Sequence, residues 1–404
     1  MNWLPPENEL DVQQREFLNS LFTNQDNLWI QGFPGSGKTV LLLYAVKRIK
    51  DSNSGAKILF IEFTHALIKM LEAAIDQLPY DDIHVVTYYD FVKNNHGEKV
   101  YDYVLCDEVQ DVPGIVLERM KECSRRVIIA GDVNQSIYET DPQWNKKTCT
   151  PQEIQSLLQP RATSLNIIHR LTPRIIKAIN SFLPEMNILA GRHPMIKKNV
   201  QIRLWKAENQ FREAKYILDQ ANDAINVGDS VGILLKYHVQ IVKFANMVLS
   251  NYGKVQWEEK KDDHGDIDFN ALNNHLRDNG IPMQYIANGY GSFLENPHLI
   301  TLTTYHSSKG LDFDSVFMPF CNEPTKPETF MTKTLFMVAM TRSRQNLYLS
   351  YTAFHMNHNL RCFSDQCATK VWAEQGQPTL FPISSTTSNN RSSSSSHDDD
   401  DIFG

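Results

Sequence analysis

The chain has 404 residues, 42% hydrophobic and 22% charged, a composition that excludes disorder over most of its length and leaves room for two or three cores. Its six cysteines form no C-x-x-C pair and are too sparse for a disulfide framework, which points to a reducing, cytoplasmic setting. Forty Lys and Arg against 47 Asp and Glu give a net charge of −7, which weighs against a broad basic surface for nucleic acid. The opening MNWLPPENELDVQQ lacks the basic start and apolar run of a signal peptide, and no stretch reaches the roughly 18 apolar residues of a membrane helix, so neither export by that route nor a membrane partner is expected.

In chain order, apolar runs rich in Val, Ile and Tyr predict buried strands at NLWIQG, KILFIEF, IHVVTYY, YDYVLCDE and RVIIAGD. Between them TVLLLYAVKRIK and ALIKMLEAAIDQL carry apolar residues at helical spacing, a βαβ rhythm that predicts a parallel sheet. The rhythm restarts after residue 165 with SLNIIH, VQIRLWKA, SVGILLK, MQYIA, HLITLTTYH, SVFMPFC and NLYLSYTA, and with helices at PRIIKAINSFL and VQIVKFANMVLSNYG. KVQWEEKKDDHGD, residues 254–266, reads as a solvated loop or helix end. The expected fold is α/β with two domains, 1–150 and 151–383, joined near residues 145–165. From residue 384, SSTTSNNRSSSSSHDDDDIFG cannot bury enough apolar surface to offset its ordering entropy and reads as a disordered tail, 384–404. One Arg against four Asp gives that tail −3 of the total charge, leaving −4 for the remainder.

Two motifs carry chemistry. GFPGSGKT, Gly32 to Thr39, lies directly after a predicted strand and before a predicted helix. It fits the phosphate-binding pattern in which glycines let backbone N–H groups close around phosphates, Lys38 reaches the β/γ-phosphates and the Thr39 hydroxyl meets Mg²⁺. A chance glycine-rich turn would not be expected to have both flanks right. VLCDEVQD then places Asp107 and Glu108 at the end of an apolar strand about 70 residues later. One carboxylate can hold Mg²⁺ and the other can orient and deprotonate the attacking water, whereas an isolated acidic pair would more often be a solvated loop. Arg170 in NIIHRLTPR and Arg342 in VAMTRSR are candidates for the positive charge that phosphoryl transfer requires, although an arginine is by default a surface cation.

The order and wording of these motifs resemble the superfamily 1 helicases of the UvrD, Rep and PcrA type, from about residue 10 to about residue 352. LDVQQREFL is similar to the Q motif, with Gln14 reading adenine. GFPGSGKT is similar to motif I, with Gly32, Gly35, Ser36, Gly37, Lys38 and Thr39 around the phosphates. FTHAL, with Phe63, Thr64 and His65, is similar to motif Ia, and VVTYYDF, with Thr87 and Tyr88, to the strand and loop that touch DNA. LCDEVQD resembles motif II, and IIAGDVNQSIY motif III, in which Gln135 senses the γ-phosphate and Tyr138 meets DNA. LNIIHR resembles motif IV, with Arg170 on the γ-phosphate and His169 stacked on adenine. TTYHSSKGLDFDSVF resembles motif V, with His306 and Ser307 on DNA and Gly310 and Asp312 at the nucleotide. LFMVAMTRSRQNLYL resembles motif VI, with Arg342 as the arginine finger.

What the resemblance implies is two RecA-like P-loop domains with an ATP cleft between them, ATP and Mg²⁺ as cofactors, and Lys38, Asp107, Glu108, Gln135, Arg170 and Arg342 as the catalytic set. It further implies 3′-to-5′ motion on single-stranded DNA, in repair, replication or anti-phage defence. The family's two inserted accessory domains have no counterpart: about ten residues separate Phe91 from Tyr101, and GIPMQYIANGYGSFLENPHLI runs directly into motif V. Unaided duplex unwinding is therefore in question. After Tyr138 the family's Arg-aromatic-Arg-Gly-Ala is replaced by Glu139, Thr140 and Asp141, leaving Tyr138 and Trp144 as stacking candidates, and His169 stands where Tyr is common. Two alternatives are a nucleotide-gated DNA-binding switch that recruits a nuclease or repair partner, and an RNA helicase. His355, His358, Cys362 and Cys367 are zinc-competent, but their spacing matches no common finger. The DDDDIFG terminus resembles the acidic tip of bacterial single-stranded-DNA-binding proteins, which suggests docking on a basic pocket; a solubilising tail is the plainer reading.

Overall fold

The computed structural model describes residues 5–372, apart from 63–67, 69–70, 73–74, 76–79, 81, 95–98, 133–135, 139, 142–143, 193–198, 288, 292–297, 325–326, 353–355 and 366. Most of the helix expected at ALIKMLEAAIDQL and the whole acidic tail lie outside the described residues.

The first sheet is built from β1 (Leu28–Gly32), β2 (Ile58–Glu62), β3 (Ile83–Thr87), β4 (Tyr101–Cys106), β5 (Ser124–Gly131) and β6 (Arg161–Leu165), in the order β3-β2-β4-β5-β1-β6, every neighbouring pair parallel. A parallel sheet is stable only with both faces covered. Helices α1 (Val12–Ser20) and α2 (Lys38–Ser52) cover one face through Phe17, Leu21, Leu42 and Val46, and helices Gly114–Cys123 and Pro151–Leu158 cover the other through Leu117, Met120 and Ile154.

The second sheet joins β7 (Gln201–Ala207), β8 (Val231–Leu235), β9 (Met283–Tyr285), β10 (Ile300–Thr304), β11 (Phe313–Met318), β12 (Ser343–Thr352) and β13 (Thr369–Trp372), in the order β13-β7-β12-β11-β8-β10-β9, again all parallel. Helices Pro173–Phe182 and Phe330–Met340 pack on one face, and Gln210–Asn226, His238–Asn251 and Phe269–Asp278 on the other. Residues 254–266 carry no regular element, as expected for a loop. No described helix is long and apolar enough to cross a membrane.

One boundary moves. The expected division at 150/151 puts RATSL in the second domain, yet Arg161–Leu165 pairs with β1 as an edge strand of the first sheet. Leu165 lies in the first core and Ile168 in the second, so the chain crosses between the sheets at residues 166–167. Ile137 and Phe33, both from the first half, pack on the second core, so the two halves share apolar surface beside the phosphate loop.

The second core holds one buried acid. Glu213 is fully buried; its Oε1 accepts from Ser350 Oγ at 2.6 Å and from Phe320 N at 2.8 Å, at a residue whose φ of +60° lies in the left-handed region. Burial pushes its carboxyl up to about 7, against the two hydrogen bonds and the Lys243 charge. A raised folded pKa means that stability is full below the unfolded value near 4.3 and is lost as pH rises toward 7. Glu213→Gln keeps the shape and stays neutral. Its stability relative to the natural protein should rise by roughly 2–3 kcal/mol between pH 5 and pH 8, as read by denaturant unfolding; a pH-independent difference would refute this.

Candidate active site

The phosphate loop spans residues 33–37 between β1 and α2. Gly35 (φ +73°) and Gly37 (φ +86°) both lie in the left-handed region, and a side chain at Gly35 would come within 2.7 Å of Arg170 Cβ. The same loop is held from two directions. His169 N and Arg170 N donate to Gly35 O at 2.8 and 3.1 Å, and Gln14 Nε2 donates to Ser36 O at 3.1 Å. Gln14 is placed by a capping box with Asp11, and Asp11 Oδ2 meets His169 Nε2 at 2.6 Å. Gln14, His169 and the loop thus form one closed ring of contacts.

At the start of α2, Lys38 Nζ donates to Gly32 O (2.9 Å) and Phe33 O (3.3 Å), while the Thr39 hydroxyl donates to Asp107. Asp107 directly follows β4 and accepts from Glu108 N at 2.9 Å. Glu108 has φ +51°, a conformation that costs a non-glycine residue roughly 1–3 kcal/mol and that tends to occur where function demands it. Gln110 Nε2 donates to Glu108 Oε2 at 2.6 Å, and Lys309, from the second half, pairs with Glu108 at 3.3 Å and with the fully buried Asp111.

These surroundings separate two adjacent acids. Burial and the neighbouring Glu108 charge push Asp107 up to about 6. Burial would raise Glu108 too, but the ammonium groups of Lys309 and Lys38 overcome it and hold that carboxyl down to about 2. Of the two, Glu108 is the acid held more firmly ionised. Across from it, Arg342 donates to Val338 O (2.7 Å), Leu311 O (3.3 Å) and Thr341 Oγ1 (2.8 Å). Among the described residues, Arg170 Nε is buried without a hydrogen-bond partner. Burial lowers the pKa of both guanidinium groups, and for Arg342 the Arg170 charge adds to it. Crowded, desolvated cations beside a phosphate loop favour a polyanion. The hydroxyl of Thr39 and the carboxylate of Asp107 are hard oxygen donors that suit Mg²⁺.

Other expected residues fall elsewhere. Phe63, Thr64, His65 and Gln135 lie outside the described residues. Thr87 is buried as the cap of helix Tyr88–Lys93, its hydroxyl donating to Asp90 Oδ2 at 2.7 Å. Tyr88, expected on DNA, is a core side chain with its hydroxyl on Asp141, because the first tyrosine of the pair points under the helix while Tyr89 stays half-buried. Trp144 packs edge-on against both rings. Tyr138 and His306 do meet, ring centroids 5.2 Å apart, and Ser307 Oγ accepts from Thr304 Oγ1 at 2.9 Å. Gly310 has φ +83°, and Asp312 faces Arg344 at 3.8 Å. Cys362 Sγ contacts His358 O, Cys367 Sγ contacts Ser364 Oγ, and His355 is not described; no group of three metal-capable side chains occurs among the described residues. Lys309 and Asp11 were not singled out in the sequence, although Lys309 stands inside HSSKG and Asp11 is the second residue of LDVQQ.

Residues 258–353 match the UvrD-like helicase C-terminal domain, and residues 14–141 match an AAA domain. The chain thus carries a region similar to the UvrD-like helicase C-terminal domain behind one similar to an AAA domain. No curated protein matches it. Among solved structures it is similar to arterivirus nonstructural protein 10 (helicase), at 15% identity and a TM-score of 0.42 over 84% of this chain and 62% of that one. The PRRSV helicase is similar at 16% identity and a TM-score of 0.41, over 84% of this chain and 54% of that one. The chain spans less than two thirds of either structure.

The crowding at Gly35 can be tested directly. Gly35→Ala should lose on the order of 1–3 kcal/mol in thermal unfolding, because the added methyl meets Arg170 and the backbone stays left-handed. Gly55→Ala, where the nearest atom lies 3.6 Å away and φ is ordinary, should be near neutral.

Proposed function

We propose that this chain is a UvrD-like, ATP-dependent single-stranded-DNA translocase or helicase moving 3′ to 5′, with Lys38, Asp107, Glu108, Gln135, Arg170 and Arg342 as its catalytic set. The observation that carries the reading is the meeting of halves at the phosphate loop: Arg170 packs on Gly35, and Lys309 pairs with Glu108, so a nucleotide held there is in reach of both sheets. Lys38 and the loop N–H groups bind the phosphates, and Gln14 and His169 flank the base. Glu108 accepts the proton of the attacking water, and Arg170 and Arg342 meet the charge that develops on the transferred phosphoryl group. Thr39 and Asp107 would hold Mg²⁺, which would supply neutralisation of phosphate charge. Loss of the γ-phosphate removes the anion that the arginines share, which lets the halves part and turns hydrolysis into movement. Action in repair, replication or anti-phage defence beside a nuclease partner, and docking of the DDDDIF segment on a basic pocket, belong to the same proposal; deleting 384–404 with no change in DNA affinity or partner capture would remove the docking.

Steady-state hydrolysis with single-stranded DNA, duplex DNA and RNA, alongside streptavidin displacement from either oligonucleotide end, tests the reading. Stimulation without displacement would favour the nucleotide-gated switch, and stimulation by RNA alone the RNA helicase. Lys38→Ala should abolish turnover. Arg342→Ala should cost on the order of 10³ in kcat while sparing nucleotide binding. A separate pH test addresses Lys309→Met: without that ammonium, burial governs Glu108, so the acid limb of the kcat profile should move up toward neutral pH. An unshifted limb would show that Lys309 does not tune the base.

A further inference from the structure

Lys236, Tyr237 and His238 follow β8 at the C-terminal rim of the second sheet. Leu235 pairs with Thr304 in the parallel register, and Tyr305 N donates to Leu235 O at 2.8 Å, so these residues flank His306. His306 in turn stands against Tyr138 from the first half. Lys236 and His238 lie close enough to act on the His306 charge, and Tyr237 stands between them on the same rim.

Tyr237 is 53% exposed, yet its backbone is not loose. Gln240 Oε1 accepts from Lys236 N at 3.0 Å and from Tyr237 N at 3.2 Å, and His238 Nε2 meets Tyr285 Oη at 2.9 Å. Lys236 Nζ lies 5.4 Å from the Tyr237 ring centroid. A clamped backbone thus presents a flat ring and a cation together to solvent. The exposed Tyr252 differs, because its hydroxyl is bonded to Asp219 Oδ1 at 2.7 Å and it sits at the far end of helix His238–Asn251. We propose that Tyr237 is a base-stacking residue for single-stranded DNA, with Lys236 meeting the adjoining phosphate. The inference rests on the single-strand reading above and adds a platform on the second half, where the motif comparison supplied only His306 and Ser307. Stacking on a fixed aromatic is tolerant of base identity, and a neighbouring ammonium adds salt-dependent attraction to the backbone. His306, held down to about 4 by burial and the nearby His238, Lys309 and Lys236 charges, is a neutral ring at pH 7 and can continue the stack.

The test is fluorescence anisotropy of labelled oligo-dT with the full chain, folding being checked by thermal melting. Tyr237→Ala and Tyr237→Leu should both weaken binding roughly tenfold, since leucine keeps the bulk but not the flat face. Tyr237→Phe should remain within about twofold, and Tyr252→Ala should bind like the natural chain. Natural chain and Tyr237→Ala binding equally well would overturn the inference alone. A natural chain that binds no single strand would overturn the single-strand reading and this inference with it.

Discussion

The ammonium of Lys309 lies between Glu108 and Asp111, almost wholly out of water, and most of the cleft is arranged around that fact. Three charges are desolvated together, and such groups are tolerated only when each has a partner. Asp111 extends the network, since its Oδ1 accepts from Ile137 N at 3.1 Å and from Ser136 Oγ at 3.3 Å. Because Lys309 comes from the second sheet and both acids from the first, parting the halves exposes all three to water at once. Hydration then replaces the lost ion pairs, so the open arrangement is not prohibitively unfavourable. A cleft built in this way can have two arrangements close in free energy, the condition under which a ligand can choose between them.

The phosphate loop adds a steric constraint to that electrostatic one. Gly35 touches Arg170 closely enough to exclude a methyl group, and its carbonyl caps the N–H groups of residues 169 and 170. A nucleotide that shifts this loop must shift the crossing segment between the sheets, and with it Arg170. The Asp11–His169 contact joins helix α1 to the same segment, so the base side and the phosphate side respond together. Glu108, held in a left-handed conformation, sits at the point where the two constraints meet, which is where backbone strain is useful and is stabilised by its surroundings.

The central strands were legible because strands covered on both faces read as unbroken apolar runs: ILFIE, YVLC and VIIAG could be little else. Two of the four edge strands were not. RATSL alternates small polar residues with a single buried Leu165, and TKVW at the far edge of the second sheet carries no apolar run, so both lacked the signal. Thr39 after the phosphate loop and Asp107 after β4 do meet, because β1 and β4 are brought to either side of β5 in one parallel sheet. What sequence could not supply was long-range partnership: that Lys309 would reach Glu108, that Asp11 would take His169, or that Tyr88 and Tyr89 would both donate to Asp141. A residue's number places it on an element, but its partner is decided by which elements the sheets bring together.

The same distinction answers the objection that a net charge of −7 raises against the proposed binding of a polyanion. Net charge measures the field at a distance, where salt screens it within about 8 Å. In the cleft the relevant count is local: Lys38, Arg170 and Arg342 gather near the loop, while Lys309 is occupied by Glu108 and Asp111. Much of the acidity lies instead on exposed helix faces, such as Asp51 and Asp219, each already paired with a lysine four residues earlier. Repulsion from that surface is weak at the loop, whereas attraction within the buried cleft is strengthened by the missing water. On the proposed reading, an overall negative charge suppresses indiscriminate adhesion to nucleic acid and leaves binding to the few places where cations are concentrated and rings are presented.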